Sequence, residues 1–218
     1  MRVKILALSD NVDERVYSEH IHQTYRDVDL VLGCGDLPIY YLEFVADALN
    51  KPVLYVRGNH DTEAELTSDG QLRKIPRGCD LIDDRVVSYG KLLFLGLGGS
   101  TRYRPGASGQ FSETQMGLRI VRLLPRLLLT RSRHGRFVDV LVTHAPPRGI
   151  HDLRDPAHTG FKAFLMLMTR LRPRFLLHGH VDSWLVGGGR STQLRETKVI
   201  NVNPVFGLDL TPIGETIA

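Results

Sequence analysis

Cysteine is scarce in this chain: 218 residues hold only Cys34 and Cys79. Cys34 sits in an apolar segment, so a secreted-type disulfide framework is excluded and both are expected as free thiols. Long apolar runs are missing as well. The longest stretches without a formal charge, Leu92 to Thr101 and Val199 to Leu208, are ten residues each, about half of the ~20 needed to cross a bilayer. Near the start, only Ile5 to Leu8 is apolar before Asp10, shorter than the roughly 7 to 15 residues of a signal-peptide core. A cytoplasmic location and no membrane partner are therefore expected. Aromatic residues make up 7%, too few for an obvious base-stacking platform. No repeat, low-complexity tract or linker divides the sequence, so residues 1–218 are expected to form a single domain.

Acidic residues are absent from one region in particular. Between Glu113 and Asp139 lie six arginines and no acid, so the formal charge of +4 comes from this patch, and the balance elsewhere is −2. Arg119, Arg122 and Arg126 fall at helical spacing and are expected to form a solvated face. A nuclease using that stripe is a weaker alternative, and nucleic acid is the less favoured partner.

Aliphatic runs are plentiful and predict strands over Val3–Leu8, Val28–Leu32, Pro52–Val56, Arg85–Ser88, Lys91–Leu97, Val138–Val142 and Arg174–Leu177. Further strands are predicted around Trp184–Val186, Thr192–Arg195 and Lys198–Val202, the last connections being antiparallel. Helical patterns cover Arg15–Tyr25, Tyr40–Leu49, Thr114–Leu129 and Phe161–Leu171. Ser112 and Gln115 form a capping box for the third, and Pro125 is expected to kink or split it. The alternation of strand and helix, followed by hairpin-like segments, predicts an α/β fold with two sheets in a layered sandwich.

Polar residues with metal-binding chemistry fall at the ends of five of these strands. Asp10 follows the first, Gly35-Asp36 the second and Gly58-Asn59-His60-Asp61 the third; His144 and Gly179-His180-Val181-Asp182 follow two later ones. In an open α/β sheet, ligands bind beyond the carboxyl ends of strands, so these groups can converge across long sequence gaps. Asp, Asn and His together give mixed oxygen and imidazole donors, suited to Mn, Fe, Zn or Mg. No Ser or Cys nucleophile beside a base and no Walker-type glycine loop is evident.

In its order and residue types this set resembles the calcineurin-like metallophosphoesterase superfamily. The resemblance implies a four-layer arrangement, a two-sheet β-sandwich flanked by helices on both sides, with two divalent metals at the strand ends. It implies Asp36 as the bridge between them, Asn59, His144 and His180 completing one site, and Asp10 serving the other. His60 would be the general acid at the leaving group, and a hydroxide held by the metals would attack a phosphomonoester or phosphodiester. Two such cations, Mn foremost, would supply most of the chemistry a phosphoryl transfer needs. A small phosphate ester or nucleotide is the expected substrate.

Two departures touch one metal site. The family's Asp-x-His reads Asp10-Asn11-Val12 here, and its Gly-His-x-His reads Gly179-His180-Val181-Asp182. Asp182 is expected to act as an oxygen ligand in a rebuilt site; a catalytically weak metal-binding scaffold is the alternative. The loop Gly96–Arg104 could bring backbone donors or Arg102 and Arg104 to a phosphate, and His151, Asp152 and His158 could line the cleft.

Overall fold

The computed structural model describes residues 2–61, 64–67, 70–187 and 189–211. In chain order its elements are β1 (Val3–Leu8), α1 (Ile21–Thr24), β2 (Leu30–Cys34), α2 (Ile39–Leu49), β3 (Val53–Val56), β4 (Glu65–Leu66), β5 (Leu72–Arg73), β6 (Cys79–Leu81), β7 (Arg85–Tyr89), β8 (Leu92–Leu97), β9 (Ser100–Thr101), β10 (Gln110–Phe111), α3 (Glu113–His134), β11 (Val140–Thr143), α4 (Lys162–Leu171), β12 (Phe175–His178), β13 (Ser191–Leu194), β14 (Thr197–Asn201) and β15 (Val205–Leu210).

Two sheets carry the fold. The first has the order β15-β1-β2-β3-β6 and the second β13-β14-β12-β11-β8-β7. The inner strands of each run parallel, while β15, β13 and β7 lie antiparallel at edges. Alternate residues of one strand serve different layers, as the two-residue period of a strand requires. Ile5 and Ala7 of β1 face the second sheet and pack in a cluster with Phe94, Val142 and Leu177. Leu6 and Leu8 face outward, against Tyr41, Leu42 and Val45 of α2. On the far side Leu95, Leu141 and Leu176 meet Met116, Ile120 and Leu123 of α3 and Phe164 and Leu167 of α4. The result is helices, sheet, sheet, helices: the two-sheet sandwich flanked on both sides that the sequence predicts. Because parallel strands β1, β2 and β3 end on the same edge as β11 and β12, their following loops share one cleft.

Several boundaries differ from expectation for identifiable reasons. The window Arg15–Tyr25 forms only the short α1, because it buries just Val16 and Ile21 and offers no continuous apolar stripe. Trp184–Val186 is not a strand; Ser183–Leu185 makes one turn of 3-10 helix with Trp184 and Leu185 exposed. Pro125 does not split α3, which runs unbroken for 22 residues behind the Ser112–Gln115 capping box. Pro125 and Val121, whose carbonyl loses its partner there, are both exposed, so that carbonyl can turn to water. The strands β6 and β15 carry no clear sequence signal.

Candidate metal centre

Three candidate ligands sit at strand ends in a backbone conformation that side chains avoid. Asp10, Asp36 and His180 have φ of 61°, 53° and 67°, the left-handed region, which costs about 1 to 2 kcal/mol for a residue with a Cβ. Such strain concentrates where a side chain must be aimed. Glycines make the space. At Gly58 an added Cβ would collide with the Asp36 carboxylate, and at Gly179 with Ser9 Oγ and the Asp10 carboxylate. These positions are small because acidic side chains fill the space a larger residue would take.

Asp36, His144 and His180 each place one potential ligand atom within 4.8 Å of the others, the one such cluster among the described residues. Asn59 joins them: its Oδ1 lies 3.1 Å from His144 Nε2. Asp36 Oδ2 is 3.3 Å from that same nitrogen. Backbone carbonyls settle the tautomers. His144 Nδ1–H donates to Cys34 O at 2.9 Å, leaving Nε2 to face Asp36 and Asn59. His180 Nε2–H donates to Ala157 O at 2.7 Å, leaving Nδ1 as its lone-pair nitrogen. A metal-ligating histidine typically has its other nitrogen held in this way. Asn59 Nδ2 donates to Tyr103 Oη at 3.3 Å, which turns its carbonyl oxygen inward.

The charges agree with a cation site. Burial opposes ionisation of Asp36, yet His144 and the His60 amide outweigh it and hold the carboxyl at about 2. Burial likewise opposes a charged His144, but Asp36 overcomes it and raises the imidazole well above its ordinary range. The extra proton on Nε2 occupies the place between Asp36 and Asn59 that a divalent ion would take. Burial, reinforced by His144, pushes His180 down to about 3 and keeps it neutral, as a metal ligand must be. Asp10 is raised, chiefly by burial. The donor set of carboxylate, amide oxygen and two imidazoles thus fits a divalent transition metal.

The other predicted residues lie around this centre. Asp10 Oδ2 accepts from the His180 amide at 2.8 Å. Asp182 stands outside the cluster, its Oδ1 accepting from Asn11 Nδ2 at 3.3 Å and Asn203 Nδ2 at 3.2 Å. Val12 packs against the outer apolar cluster under α2. Asp13 forms a forked ion pair with Arg15 and lies outside the metal cluster. His60 is exposed, its amide donating to Asp36 Oδ1 at 2.7 Å, and among the described residues no hydrogen bond restrains its ring.

The glycine loop after β8 is spoken for. Gly98 N donates to Asp83, Gly99 N to Arg57 O and Arg102 to Gln115, so these expected phosphate donors are used internally, whereas the Arg104 guanidinium is exposed and lies over the Tyr103 ring. His151 is buried against His178, and Asp152 receives the amides of Gly149 and Gly160. Of these three predicted residues His158 comes nearest the site, its ring 5.3 Å from that of His180. Sequence reasoning included Asp61 in the third strand-end motif but gave it no role; its Oδ2 accepts from the amides of Asp36 at 2.7 Å and Gly58 at 2.8 Å and ties two ligand loops together. Sequence reasoning missed Tyr103.

No curated protein matches the chain by sequence. One solved structure matches with a TM-score of 0.64 and 14% identity, covering 96% of this chain and 95% of the other. The protein TT1561 of Thermus thermophilus gives 0.61 at 14% identity, covering 94% and 90%. GAP50, described as the anchor in the inner membrane complex of Plasmodium, gives 0.51 at 11%, covering 92% and 71%. At such identities these likenesses establish the fold. The calcineurin-like phosphoesterase model matches residues 3–183, a span from β1 through the His180 loop that includes every strand end described above, and the chain belongs to that family.

Proposed function

We propose that the protein hydrolyses a small phosphate ester, with a phosphodiester or nucleotide favoured, using two divalent cations at the strand ends. Mn is the expected ion, with Fe, Zn or Mg as alternatives. The reading rests above all on the convergence of Asp36 Oδ2, Asn59 Oδ1 and His144 Nε2 from three separate loops, with the His144 tautomer set by the Cys34 carbonyl. Divalent ions bound there would lower the pKa of a water and neutralise charge on the phosphoryl oxygens. Asp36 supplies the charge that offsets them. Asn59 adds a neutral oxygen, and His144 and His180 add neutral nitrogens. His60, exposed and with its backbone amide bonded to Asp36, would give a proton to the departing oxygen.

The family match implies metal-dependent phosphoester hydrolysis in general; the substrate and the proton donor are our reading. The test is metal content of protein purified without chelator, with turnover of aryl phosphomonoesters and phosphodiesters after adding Mn. Bound metal with turnover that disappears in Asp36→Asn is the expected result. Protein that takes up no divalent ion and turns over neither ester would end this reading.

A second reading draws on Asp182, whose carboxylate is engaged by two asparagine amides, and on apolar Val12. Together they favour a metal-binding scaffold with one weak site. Tight binding of one ion without turnover would select it.

A further inference from the structure

The outer helical layer over the second sheet combines two features that nothing in the metal centre uses. Leu118, Val121, Pro125 and Leu128 recur at spacings of three and four along α3, on the side opposite the buried Ile120, Leu123 and Leu127. Leu118, Val121 and Leu128 are 51%, 56% and 59% exposed, and Leu124 and Leu129 of the same helix are exposed beside them. Solvent normally faces polar residues at such positions, and a contiguous apolar ridge marks a contact surface. Arg122, Arg126 and Arg133 run alongside it, exposed and paired with no acid among the described residues.

The two outer helices are also rich in basic residues, of which Arg119 pairs with Asp84 and Arg172 with Glu196. Residues 113–139 and 161–174 hold ten Lys and Arg against only Glu113 and Asp139, whereas the rest of the chain has eighteen basic against twenty-two acidic residues. Neither acid is available to a partner. Glu113 caps the first amides of α4, and Asp139 is buried beside Arg136. Pairing α3 with a second copy of itself would set arginine rows together with no acid between them. A nucleic-acid backbone would neutralise the arginines but leave the leucines pressed against phosphates.

We propose that this face docks on an anionic lipid surface, the apolar ridge entering the headgroup boundary and the arginines contacting the headgroups. That no helix is long and apolar enough to cross a membrane concerns spanning and not surface contact.

The experiment is flotation of the full chain with vesicles of phosphatidylcholine alone and of phosphatidylcholine mixed with phosphatidylglycerol. Binding to the mixed vesicles, weakened by salt, is expected, with little to the neutral ones. Arg122→Gln with Arg126→Gln should bind about 30-fold more weakly, the equivalent of ~2 kcal/mol. Leu128→Ser, at an exposed position, should lose about tenfold, with an unchanged thermal melt showing that it folds. Equal binding to both vesicle types, or to neither, overturns the proposal. So does a dimer in sedimentation that Leu128→Ser dissolves, which would assign the ridge to a second copy, or a DNA shift in the absence of vesicle binding.

Discussion

On one side of the strand-end cleft, Asp36 Oδ2, Asn59 Oδ1 and His144 Nε2 point at one another, and their supports come from behind, through Cys34 O and Tyr103 Oη. On the other side, Asp10 Oδ2 already accepts the His180 amide, and Asp182 Oδ1 accepts two asparagine amides. The first half leaves lone pairs in need of a cation. The second half engages one oxygen of each carboxylate with neutral donors of the same chain, and Asp182 Oδ1 takes two of them. A polar group already hydrogen-bonded has less to gain from a metal, so the two halves should bind ions unequally although both lie at the ends of parallel strands.

The largest effect should come from Asp36, whose charge belongs to the tight half and, by the family resemblance, to both. Asp36→Asn keeps the size and one oxygen but removes the charge that holds His144 protonated and would offset a cation. Near-complete loss of turnover and a fall in metal stoichiometry are expected, read by elemental analysis and ester hydrolysis. Retention of both would remove Asp36 from the site.

His60 should separate chemistry from metal binding. Its ring is exposed and its contact to Asp36 is made by the backbone, which His60→Ala preserves. Turnover should fall about 10²- to 10⁴-fold, the usual range for a general acid, with metal content kept. The deficit should shrink for esters whose leaving group needs no proton. Metal loss in this variant contradicts the assignment.

Tyr103 tests the comparison itself. Its hydroxyl holds the Asn59 amide with oxygen inward, so Tyr103→Phe should weaken the tight metal step about tenfold, the lower end for groups that orient a ligand. Asp182→Ala should leave that step alone and alter only the weaker one. Metal titration of the two variants, followed calorimetrically, distinguishes them. If both shift the same step, the cleft is not divided as described.

The strand ends were legible because β1, β2, β3, β11 and β12 are near-continuous aliphatic runs, and such runs stop where the chain leaves the core. Hence the positions of Asp36, Asn59, His144 and His180 are legible in the sequence. Their supports could not. Cys34 and Ala157 act through backbone carbonyls, which carry no residue signature, and Tyr103 meets Asn59 across 44 positions of sequence. The strand β15 was hidden because Gly207 and Asp209 interrupt its apolar residues, and its pairing with β1 decides the matter. Arg119 was misplaced on a solvated stripe for a related reason. Its partners Asp84, Gly98 O and the Phe111 ring are brought to α3 by other loops.

The smallest predicted effect concerns two histidines at one strand end that face different ways. His180 turns to the metal centre, whereas His178 closes a neutral chain on the other side. Thr192 Oγ1–H donates to His151 Nε2, His151 Nδ1–H to His178 Nε2, and His178 Nδ1–H to Gly179 O. A further proton on His178 would turn an acceptor into a second donor and break the chain. Burial, with smaller contributions from the neighbouring histidines, lowers His178 to about 3. The unfolded chain takes up this proton near its ordinary value of about 6.5 and the folded chain only near 3. The contribution of His178 is therefore whole above pH 6.5 and declines as pH falls towards 3, by about 1.4 kcal/mol per pH unit at most. Asp61 works in the opposite sense. Burial and Asp36 raise it to about 6, so the folded state binds its proton first and gains stability as pH falls through that value. Comparing the parent with His178→Gln in metal-free protein cancels the Asp61 effect. The variant should be less stable at pH 7 by about 1 kcal/mol for the disturbed hydrogen bonds, and as the pH is lowered the gap should close at about pH 6 and reverse below it, the parent becoming the less stable of the two by pH 4.5. Denaturant unfolding at several pH values measures it. Parallel stability curves for the two proteins would show that His178 titrates alike in both states, and that the inner side of this strand end is not the neutral, proton-refusing partner of the metal side.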